Sequence, residues 1–380
     1  MTTSVADAVL DGVAGALDLA VDPSGVVFHR VPAAARARLA DPALDFMSSV
    51  PSGVRLHFHT DAPWIELDAD LVRVVFSGTP GPGSVFDVVV DGELLPPVTA
   101  TAETLLEIDL ATGGMTQRPA GTATVRLSLG SQAREREIEI WLPHASSLKL
   151  RDVRIPSGTS LEPTPAEGPL WVHHGSSISQ GSEAERPTST WPARVARATG
   201  RNLVNLGIGG QCHLDAFMAR AISDLPAATI SVEIGINIVN GDTMRERAFV
   251  AALHGFLDTV RDGHPDTPLA VVTPIVCPAA EDAPGPTLAG PDGRVRTVAR
   301  PDALRNGALT LTRVRELIGA AVIRRRREGD HHLQMVDGLT LFGTGDLGDL
   351  PDGLHPNNAG YLRMAERFLT LAYGDDGMFD

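Results

Sequence analysis

Residues 170–181 read Leu-Trp-Val-His-His-Gly-Ser-Ser-Ile-Ser-Gln-Gly, and this change from apolar side chains to glycine and serine indicates the architecture of the C-terminal half. Leu170 to Val172 predict a short buried strand. The glycines at 175 and 181 permit a tight turn from that strand into a helix. The same succession of apolar strands and helices continues to the C-terminus. Such alternation builds a parallel sheet with helices on both faces, so we predict an α/β domain.

The other elements of this domain follow from hydrophobic periodicity and turn residues. We predict strands over residues 202–206, 229–234, 269–272 and 333–336, and helices over 191–199, 216–225, 249–260, 311–325 and 358–371. Ligands of such sheets bind at the C-terminal ends of the strands. Motifs at those ends can therefore converge on one site.

The N-terminal part of the chain has a different pattern. Apolar and polar residues alternate over 54–59, 84–90, 124–129 and 136–142, and helical periodicity is hard to find after the first thirty residues. Asp91-Gly92 is a strong hairpin signal. We therefore predict a β-sandwich, jelly-roll-like domain over residues 1–160. A proline-containing linker over 157–168 would join it to the α/β domain over 169–380.

Length and charge limit the class of protein. A chain of 380 residues exceeds the usual size of one core, which favours two domains. The net charge of -15 argues against binding to nucleic acid or anionic membranes, since phosphates would be repelled. The run Arg324–Arg327 is interpreted as a solvated helix end rather than an anion site. No stretch reaches the ~18 apolar residues of a membrane span.

Cysteine content and the N-terminus bear on localisation. Cys212 and Cys277 do not form a disulfide framework, and the first residues lack the basic and apolar regions of a signal peptide. We therefore expect a cytoplasmic protein with reduced thiols. Cys212 is interpreted as a small buried residue.

Ser177 is the candidate nucleophile. A serine hydroxyl attacks a carbonyl only when a base removes its proton, so an imidazole must lie within hydrogen-bond reach. Ser176 and Ser179 are rival candidates, and either hydroxyl could instead cap the following helix.

The sequence Asp352-Gly353-Leu354-His355-Pro356 supplies a candidate base. Asp352 would bind one ring nitrogen of His355 and leave the other facing Ser177. The alternative is a capped helix start. The pairs at 173–174 and 331–332 lack metal-ligand spacing with a third ligand, so we expect no metal site and no cofactor.

Two further segments can supply hydrogen-bond donors to an oxyanion. Gly210, in Asn205-Leu-Gly-Ile-Gly-Gly, allows its N–H close approach to substrate, and Asn237 offers an amide NH₂. The alternatives are a turn at Gly210 and a local backbone bond at Asn237. Glu233, inside an apolar strand, is interpreted as a structural pair rather than a catalytic group.

The long segment 277–301 is rich in proline, glycine and acids. Structureless loops of this length are commonly functional or mobile. A lid over the substrate and a plain surface excursion are both open interpretations.

With these motifs in order, residues from about 169 to 375 resemble the SGNH hydrolases of the GDSL lipase/esterase superfamily. Ser177 lies in the first block, Gly210 in the second, Asn237 in the third, and Asp352 and His355 in the fifth. Two positions differ from the family pattern: a serine, Ser176, precedes the nucleophile where an aspartate is usual, and no aspartate follows Asn237. The resemblance implies a flavodoxin-like three-layer fold. It also implies ester hydrolysis through an acyl-enzyme by Ser177, His355 and Asp352.

The arrangement of a β-sandwich before such a domain is similar to that of certain carbohydrate acetylesterases. This resemblance favours a small-molecule ester, a short acyl group on a sugar or polyol, as substrate. A lipase or thioesterase acting on longer chains, an acyltransferase, and a non-catalytic glycan-binding or assembly protein are the alternatives.

Overall fold

The structure is a computed structural model that describes residues 1–39, 41–76, 83–109, 114–130, 134–290, 292–375 and 377–379. Its chain divides into two compact units. The β unit consists of Met1–Gly168 with the short segments Ala184–Ser189 and Asn202–Asn205. The α/β unit comprises Pro169–Glu183, Thr190–Arg201 and Leu206–Asp380.

Two sheets make up the β unit. In the described residues, the first sheet contains β1 (Thr2–Ser4), β3 (Asp18–Asp22), β4 (Gly25–His29), β6 (Trp64–Phe76), β10 (Thr104–Ile108), β11 (Met115–Arg118), β12 (Ala123–Ser128) and β14 (Ser147–Pro156). The second contains β2 (Val13–Ala14), β5 (Arg55–Thr60), β7 (Val85–Val90), β8 (Glu93–Leu94), β9 (Val98–Thr99), β13 (Arg136–Trp141) and β15 (Leu161–Pro163). Within the part of the chain that the structure describes, paired strands of these sheets run antiparallel, except for β6 and β10, which run parallel.

One apolar core lies between these sheets. Phe28 and Ile65 of the first sheet and Phe58, Phe86 and Ile140 of the second belong to the same buried cluster. Two sheets that share a core in this way form a sandwich, which confirms the predicted class. Burial of alternate residues explains the period of two in the sequence.

The predicted hairpin at Asp91-Gly92 joins β7 to β8. Asp91 and Gly92 have φ of 49° and 82°. This left-handed conformation at both central positions suits the twist of the flanking strands.

The two helices that follow the first thirty residues, α2 and α3 below, are a difference from the sequence prediction. The structure has α1 (Ala6–Leu10), α2 (Ala33–Leu39) and α3 (Pro42–Ser48). Asp41 caps α3, because its carboxylate accepts the N–H groups of Ala43 and Leu44, and Pro42 opens the helix. This start signal was present in the sequence, but the helix is too short to show clear periodicity.

The interval 157–168 is not a plain linker. Within it, Leu161–Pro163 forms β15 and pairs antiparallel with β5. A three-residue strand of leucine, glutamate and proline gives no alternation that could be read from sequence, and its edge position tolerates the proline.

The α/β unit is built on a five-stranded sheet in the described residues. Its strands are β16 (Leu170–Gly175), β17 (Asn202–Gly207), β18 (Thr229–Glu233), β19 (Leu269–Val272) and β22 (Leu333–Val336), in the order β17-β16-β18-β19-β22. The pairs β16–β18, β18–β19 and β19–β22 are parallel. This is the flavodoxin-like order with its switch point beside the first strand, as the resemblance implied.

Helices alternate with those strands. They are α4 (Ser177–Gln180), α5 (Trp191–Thr199), α6 (Ala216–Ser223), α7 (Ile236–Gly241), α8 (Glu246–Gly263), α9 (Leu311–Arg327), α10 (Gly338–Leu341) and α11 (Asn358–Tyr373). The predicted bounds agree to within a few residues. Arg324–Arg327 form the last turn of α9, which confirms the interpretation of this run as a helix end.

The segment 277–301 is not structureless. Thr287–Ala289 (β20) and Val295–Thr297 (β21) form an antiparallel hairpin. Its strands have three residues each, so hydrophobic alternation could not reveal them. Among the described residues, no helix combines the length and apolar character needed to cross a membrane.

Replacing Phe58 by alanine should destabilise the β unit by about 3–5 kcal/mol, because a fully buried aromatic ring is lost from the core. Urea unfolding followed by circular dichroism would measure the change. Val21→Ala, at an exposed position of β3, is the control and should leave the midpoint nearly unchanged. Equal midpoints for both variants would contradict the core assignment.

Candidate active site

Ser177 opens the one-turn helix α4 directly after β16. The Ser176 hydroxyl accepts the N–H of Ile178 at 3.2 Å and caps the helix. Gly175 leaves room for this turn, because a Cβ there would lie 2.2 Å from Ser179 Oγ. The glycine and the capping serine therefore fix where the Ser177 hydroxyl lies.

The structure separates Ser177 from its two rivals. Ser176 and Ser179 are fully buried, and both hydroxyls donate to the carboxylate of Glu233. Ser177 is half-buried and its Oγ lies 2.8 Å from His355 Nε2. Glu233 thus forms the structural pair that its place in an apolar strand predicted.

His355 connects Ser177 to Asp352. Its Nδ1 lies 2.6 Å from Asp352 Oδ2, while Asp352 Oδ1 accepts the N–H groups of Leu354 and His355 at 2.8 and 2.7 Å. Since the carboxylate can only accept, Nδ1 carries the proton and Nε2 is left to accept from the Ser177 hydroxyl. Three residues predicted from sequence therefore form one hydrogen-bonded chain, spanning 178 positions from Ser177 to His355.

The electrostatic environment of His355 and Asp352 favours the protonated form of the imidazole. Burial opposes ionisation of both groups, but the hydrogen bond and mutual attraction outweigh it. The pKa of Asp352 is consequently lowered and that of His355 is raised above its ordinary value of 6.5. His355 is thus a stronger base than an isolated imidazole.

The loop after β17 is held at its backbone groups. Gln180 Oε1 accepts the N–H of Gly209 at 2.9 Å, and His213 Nε2 lies 3.0 Å from the carbonyl oxygen of Gly210. Gly210 has φ of 71°, the left-handed region that favours glycine. Gln180 and His213 were not predicted. Gln180 follows Ser177 by three residues, but nothing in the sequence relates either side chain to this loop.

Asn237 lies in the first turn of α7, after β18. Its Oδ1 accepts the N–H of Cys212 at 3.1 Å, so the NH₂ group is the part of the side chain that can donate elsewhere. In the described part of the chain, the N–H of Ser177, the N–H of Gly210 and the NH₂ of Asn237 have no protein acceptor. All three donors, of which Gly210 and Asn237 were predicted above, can therefore bond an external oxygen.

The hairpin of segment 277–301 contacts the loop of the base. Val295 N–H in β21 donates to the carbonyl oxygen of Asp352 at 2.8 Å. Arg300, just beyond the hairpin, donates to the carbonyl oxygen of Gly285 at 2.6 Å and to the Asp242 carboxylate. These contacts tie the segment to the loop of the base through β21 and to the C-terminal end of α7 through Arg300.

The described residues contain no group of three or more histidine, cysteine, aspartate or glutamate side chains placed to hold a metal ion.

Cys212 is buried, and its thiol donates to the carbonyl oxygen of Glu233 at 3.3 Å, in agreement with its interpretation as a small buried residue.

Residues 170–280 match the GDSL-like Lipase/Acylhydrolase family. The matched segment includes the turn of Ser177 and the loops of Gly210 and Asn237. His355 and Asp352 lie beyond it. No curated protein matches the sequence.

Solved structures resemble nearly the whole chain. Salicylyl-acyltransferase SsfX3 from a tetracycline biosynthetic pathway is 27% identical with a TM-score of 0.77, over 97% of this chain and 95% of that one. A GDSL-like protein from Bacteroides ovatus is 21% identical with a TM-score of 0.69, over 97% of each chain. A family two carbohydrate esterase from Clostridium thermocellum, in complex with cellohexaose, is 16% identical with a TM-score of 0.57, over 94% and 98%.

Titration of His355 should give a pKa above 6.5 in the wild-type protein and a clearly lower one in Asp352→Asn. The reason is that burial alone lowers the imidazole pKa, and the bond and charge of Asp352 reverse this effect. Nitrogen-15 NMR of the histidine rings against pH would measure both values. Asp292→Asn, an exposed change of the same charge, should leave the His355 pKa unmoved. Equal pKa values in wild type and Asp352→Asn would contradict the assignment.

Proposed function

We propose that this protein, whose residues 170–280 belong to the GDSL-like lipase/acylhydrolase (SGNH) family, is a serine ester hydrolase that acts on small acyl esters. The observation that carries the proposal is the chain from Ser177 Oγ to His355 Nε2, 2.8 Å, and from His355 Nδ1 to Asp352, 2.6 Å. Such a chain converts a hydroxyl into a nucleophile at neutral pH.

In the acylation step, Ser177 Oγ bonds to the ester carbonyl carbon while its proton passes to His355 Nε2. The carbonyl π electrons move to oxygen, and the resulting oxyanion accepts from Ser177 N–H, Gly210 N–H and the Asn237 NH₂. His355 then gives its proton to the alkoxy oxygen as the carbon–oxygen bond breaks. The alcohol leaves and an acyl-enzyme remains.

In the deacylation step, His355 takes a proton from water, whose oxygen attacks the acyl carbon. The second tetrahedral intermediate collapses, the acid leaves and Ser177 regains its proton. Asp352 stays ionised and stabilises the imidazolium in both steps. Because the base must be neutral, kcat/KM should fall as the pH decreases through the raised pKa of His355.

We propose a short acyl group on a sugar or polyol as the substrate. The likeness in fold to the Clostridium thermocellum carbohydrate esterase with bound cellohexaose supports this choice. The aromatic content of the β unit argues against it, because Trp141 is buried and Trp64 is covered by the Arg126 guanidinium at 3.8 Å. Sugar platforms generally use exposed aromatic faces. Longer acyl chains are therefore the competing substrate class.

Acyl transfer to an acceptor other than water is the second candidate function. The observation in its favour is the 27% identity to a salicylyl-acyltransferase over nearly the whole chain. Hydrolase and transferase would share Ser177, His355 and the acyl-enzyme, and differ only in whether water or an acceptor alcohol attacks it.

A non-catalytic glycan-binding or assembly role is the alternative from another class. The hydrogen-bonded chain of Ser177, His355 and Asp352, together with the presence of Gly210 and Asn237, argues against such degeneration.

Ser177→Ala and His355→Ala should each reduce ester turnover by several orders of magnitude, on the order of 10⁴ or more, with the fold intact. Nitrophenyl acetate hydrolysis would measure the loss. A fluorophosphonate probe should label Ser177 in the wild-type protein and nothing in Ser177→Ala, because only an activated serine reacts. Ser182→Ala, close by in sequence but outside the hydrogen-bonded chain, is the control. Full turnover by purified Ser177→Ala would eliminate the proposed nucleophile.

Nitrophenyl esters from acetate to palmitate should give the highest kcat/KM at the acetate end, since we propose a short acyl group. Assays with and without added glycerol, analysed for free acid and acylglycerol, would distinguish hydrolysis from transfer. Free acid as the main product would support the hydrolase. A maximum at palmitate would overturn the substrate class, and mainly acylglycerol would favour the transferase.

A further inference from the structure

Behind the nucleophile turn lies a buried carboxylate that the mechanism above does not use. Glu233, at the end of β18, is 2% exposed. Its Oε2 accepts from Ser179 Oγ at 2.7 Å, and both its oxygens lie 3.3 Å from Ser176 Oγ. Within the part of the chain that the structure describes, no arginine or lysine forms a salt bridge with it. A charge in such a position is costly unless other groups compensate for it.

A chain of hydrogen bonds leads to this carboxylate through buried side chains. Trp171 Nε1–H donates to Ser231 Oγ at 2.9 Å, which lies 2.7 Å from His173 Nδ1. His173 Nε2 lies 2.7 Å from Ser179 Oγ, which donates to Glu233. Indole can only donate and an ionised carboxylate can only accept. Every proton therefore points toward Glu233, and His173 is neutral with its proton on Nε2.

A Glu233 protonated on Oε2 would not fit this chain. It would donate to Ser179, which would then donate to His173 Nε2 and force the ring proton onto Nδ1, so that Ser231 Oγ would receive protons from both Trp171 and His173. A proton on Oε1 would have to be donated to Ser176 Oγ, 3.3 Å away, which already accepts the N–H of Ile178. Burial raises the pKa of Glu233, but the hydrogen bonds from Ser179 and Ser176 oppose this effect and favour the ionised form.

The negative charge of Glu233 is not neutralised inside this chain. Burial lowers the pKa of His173 to about 3, so its ring adds no positive charge. Cys212 and Tyr361, which also lie within electrostatic reach of Glu233, are kept neutral because burial raises the pKa of each. The titratable group that does respond to this charge is His355. The negative charge of Glu233 favours the imidazolium form of His355, and the imidazolium in turn favours the ionised form of Glu233.

We propose that Glu233 is a second carboxylate of the active site, which positions the nucleophile turn through Ser176 and Ser179 and stabilises the imidazolium of His355 through space. The inference rests on the proposed function, because the imidazolium forms only when Ser177 gives up its proton. Ser177 lies between the two serines that Glu233 binds. A fixed buried charge needs no reorganisation when the positive charge appears on His355. Glu233 itself neither gains nor loses a proton.

Glu233→Gln should lower kcat/KM for nitrophenyl acetate by about 10-fold or more with little change in KM, a smaller loss than removal of a direct oxyanion donor. In the pH profile of kcat/KM, the fall in activity on the acidic side (the acidic limb) should move to lower pH, because removal of a negative charge lowers the pKa of His355. Asp352 and Glu183, the other carboxylates that act on His355, remain in this variant. Glu366→Gln, an exposed change on α11, should alter neither quantity.

Ser179→Ala separates the two parts of the proposal. It keeps the charge of Glu233 but breaks the link to the turn, so kcat should fall while the acidic limb keeps its position. A purely structural Glu233 would leave the limb unmoved in both variants. Wild-type kcat/KM together with an unmoved limb in Glu233→Gln would overturn the proposal.

A measurement on the wild-type protein covers the case in which Glu233→Gln does not fold. Nitrogen-15 NMR of labelled histidine, with His173 identified by its contact to the Trp171 ring, should show a neutral ring protonated on Nε2 at pH 7. A ring protonated on Nδ1 would mean an uncharged Glu233 and would also overturn the proposal.

Failure of this inference differs from failure of the proposed function. No ester turnover and no labelling of Ser177 in the wild-type protein would refute the proposed function. An active, labelled wild type with an indistinguishable Glu233→Gln would refute only the role of Glu233.

Discussion

The hydrogen bond between Asp352 and His355 Nδ1, 2.6 Å long, is the interaction on which the chemistry of this molecule depends. It fixes the tautomer of the imidazole and so decides that Nε2, 2.8 Å from Ser177 Oγ, accepts the proton. It also reverses the effect of burial, which alone would make His355 a weak base. The same carboxylate accepts two N–H groups of its own loop, so its orientation is set before any substrate binds.

The parallel sheet explains why residues so far apart in sequence meet. Strands β16, β17 and β18 are neighbours, and each is followed at its C-terminal end by one functional segment. These segments carry Ser177, Gly210 and Asn237. Because parallel strands end at the same edge, the nucleophile and the oxyanion donors are placed by the backbone. The side chains of Gln180, His213 and Asn237 then hold the loops in position.

Much of this arrangement could be predicted because it follows from strong local signals. Strands such as Leu269–Val272 are continuous apolar runs, and Ser177 and His355 lie in motifs whose chemistry constrains their neighbours. Short elements were missed because they leave too few residues to show a period: α2 and α3, β15, and the hairpin of β20 and β21.

The contacts of Gln180 and His213 could not be predicted for a different reason. Each side chain binds a backbone group of Gly209 or Gly210. Because every residue has a backbone carbonyl, and every residue except proline a backbone N–H, such a contact does not require a particular residue type at the partner position. The pairing of Glu233 was expected, but its particular partners depend on how β16 and β18 lie side by side. A short stretch of sequence does not show which side chains such strand pairing brings into contact.

The contact between Val295 and Asp352 joins main chain to main chain. Its donor is a peptide N–H, which every residue except proline possesses, so the support that β21 gives to the acid's loop does not depend on which side chain stands at position 295. The side chains on the hairpin surface can therefore change in evolution, or be redesigned in the laboratory, while the hydrogen bond that supports the Asp352 loop is retained.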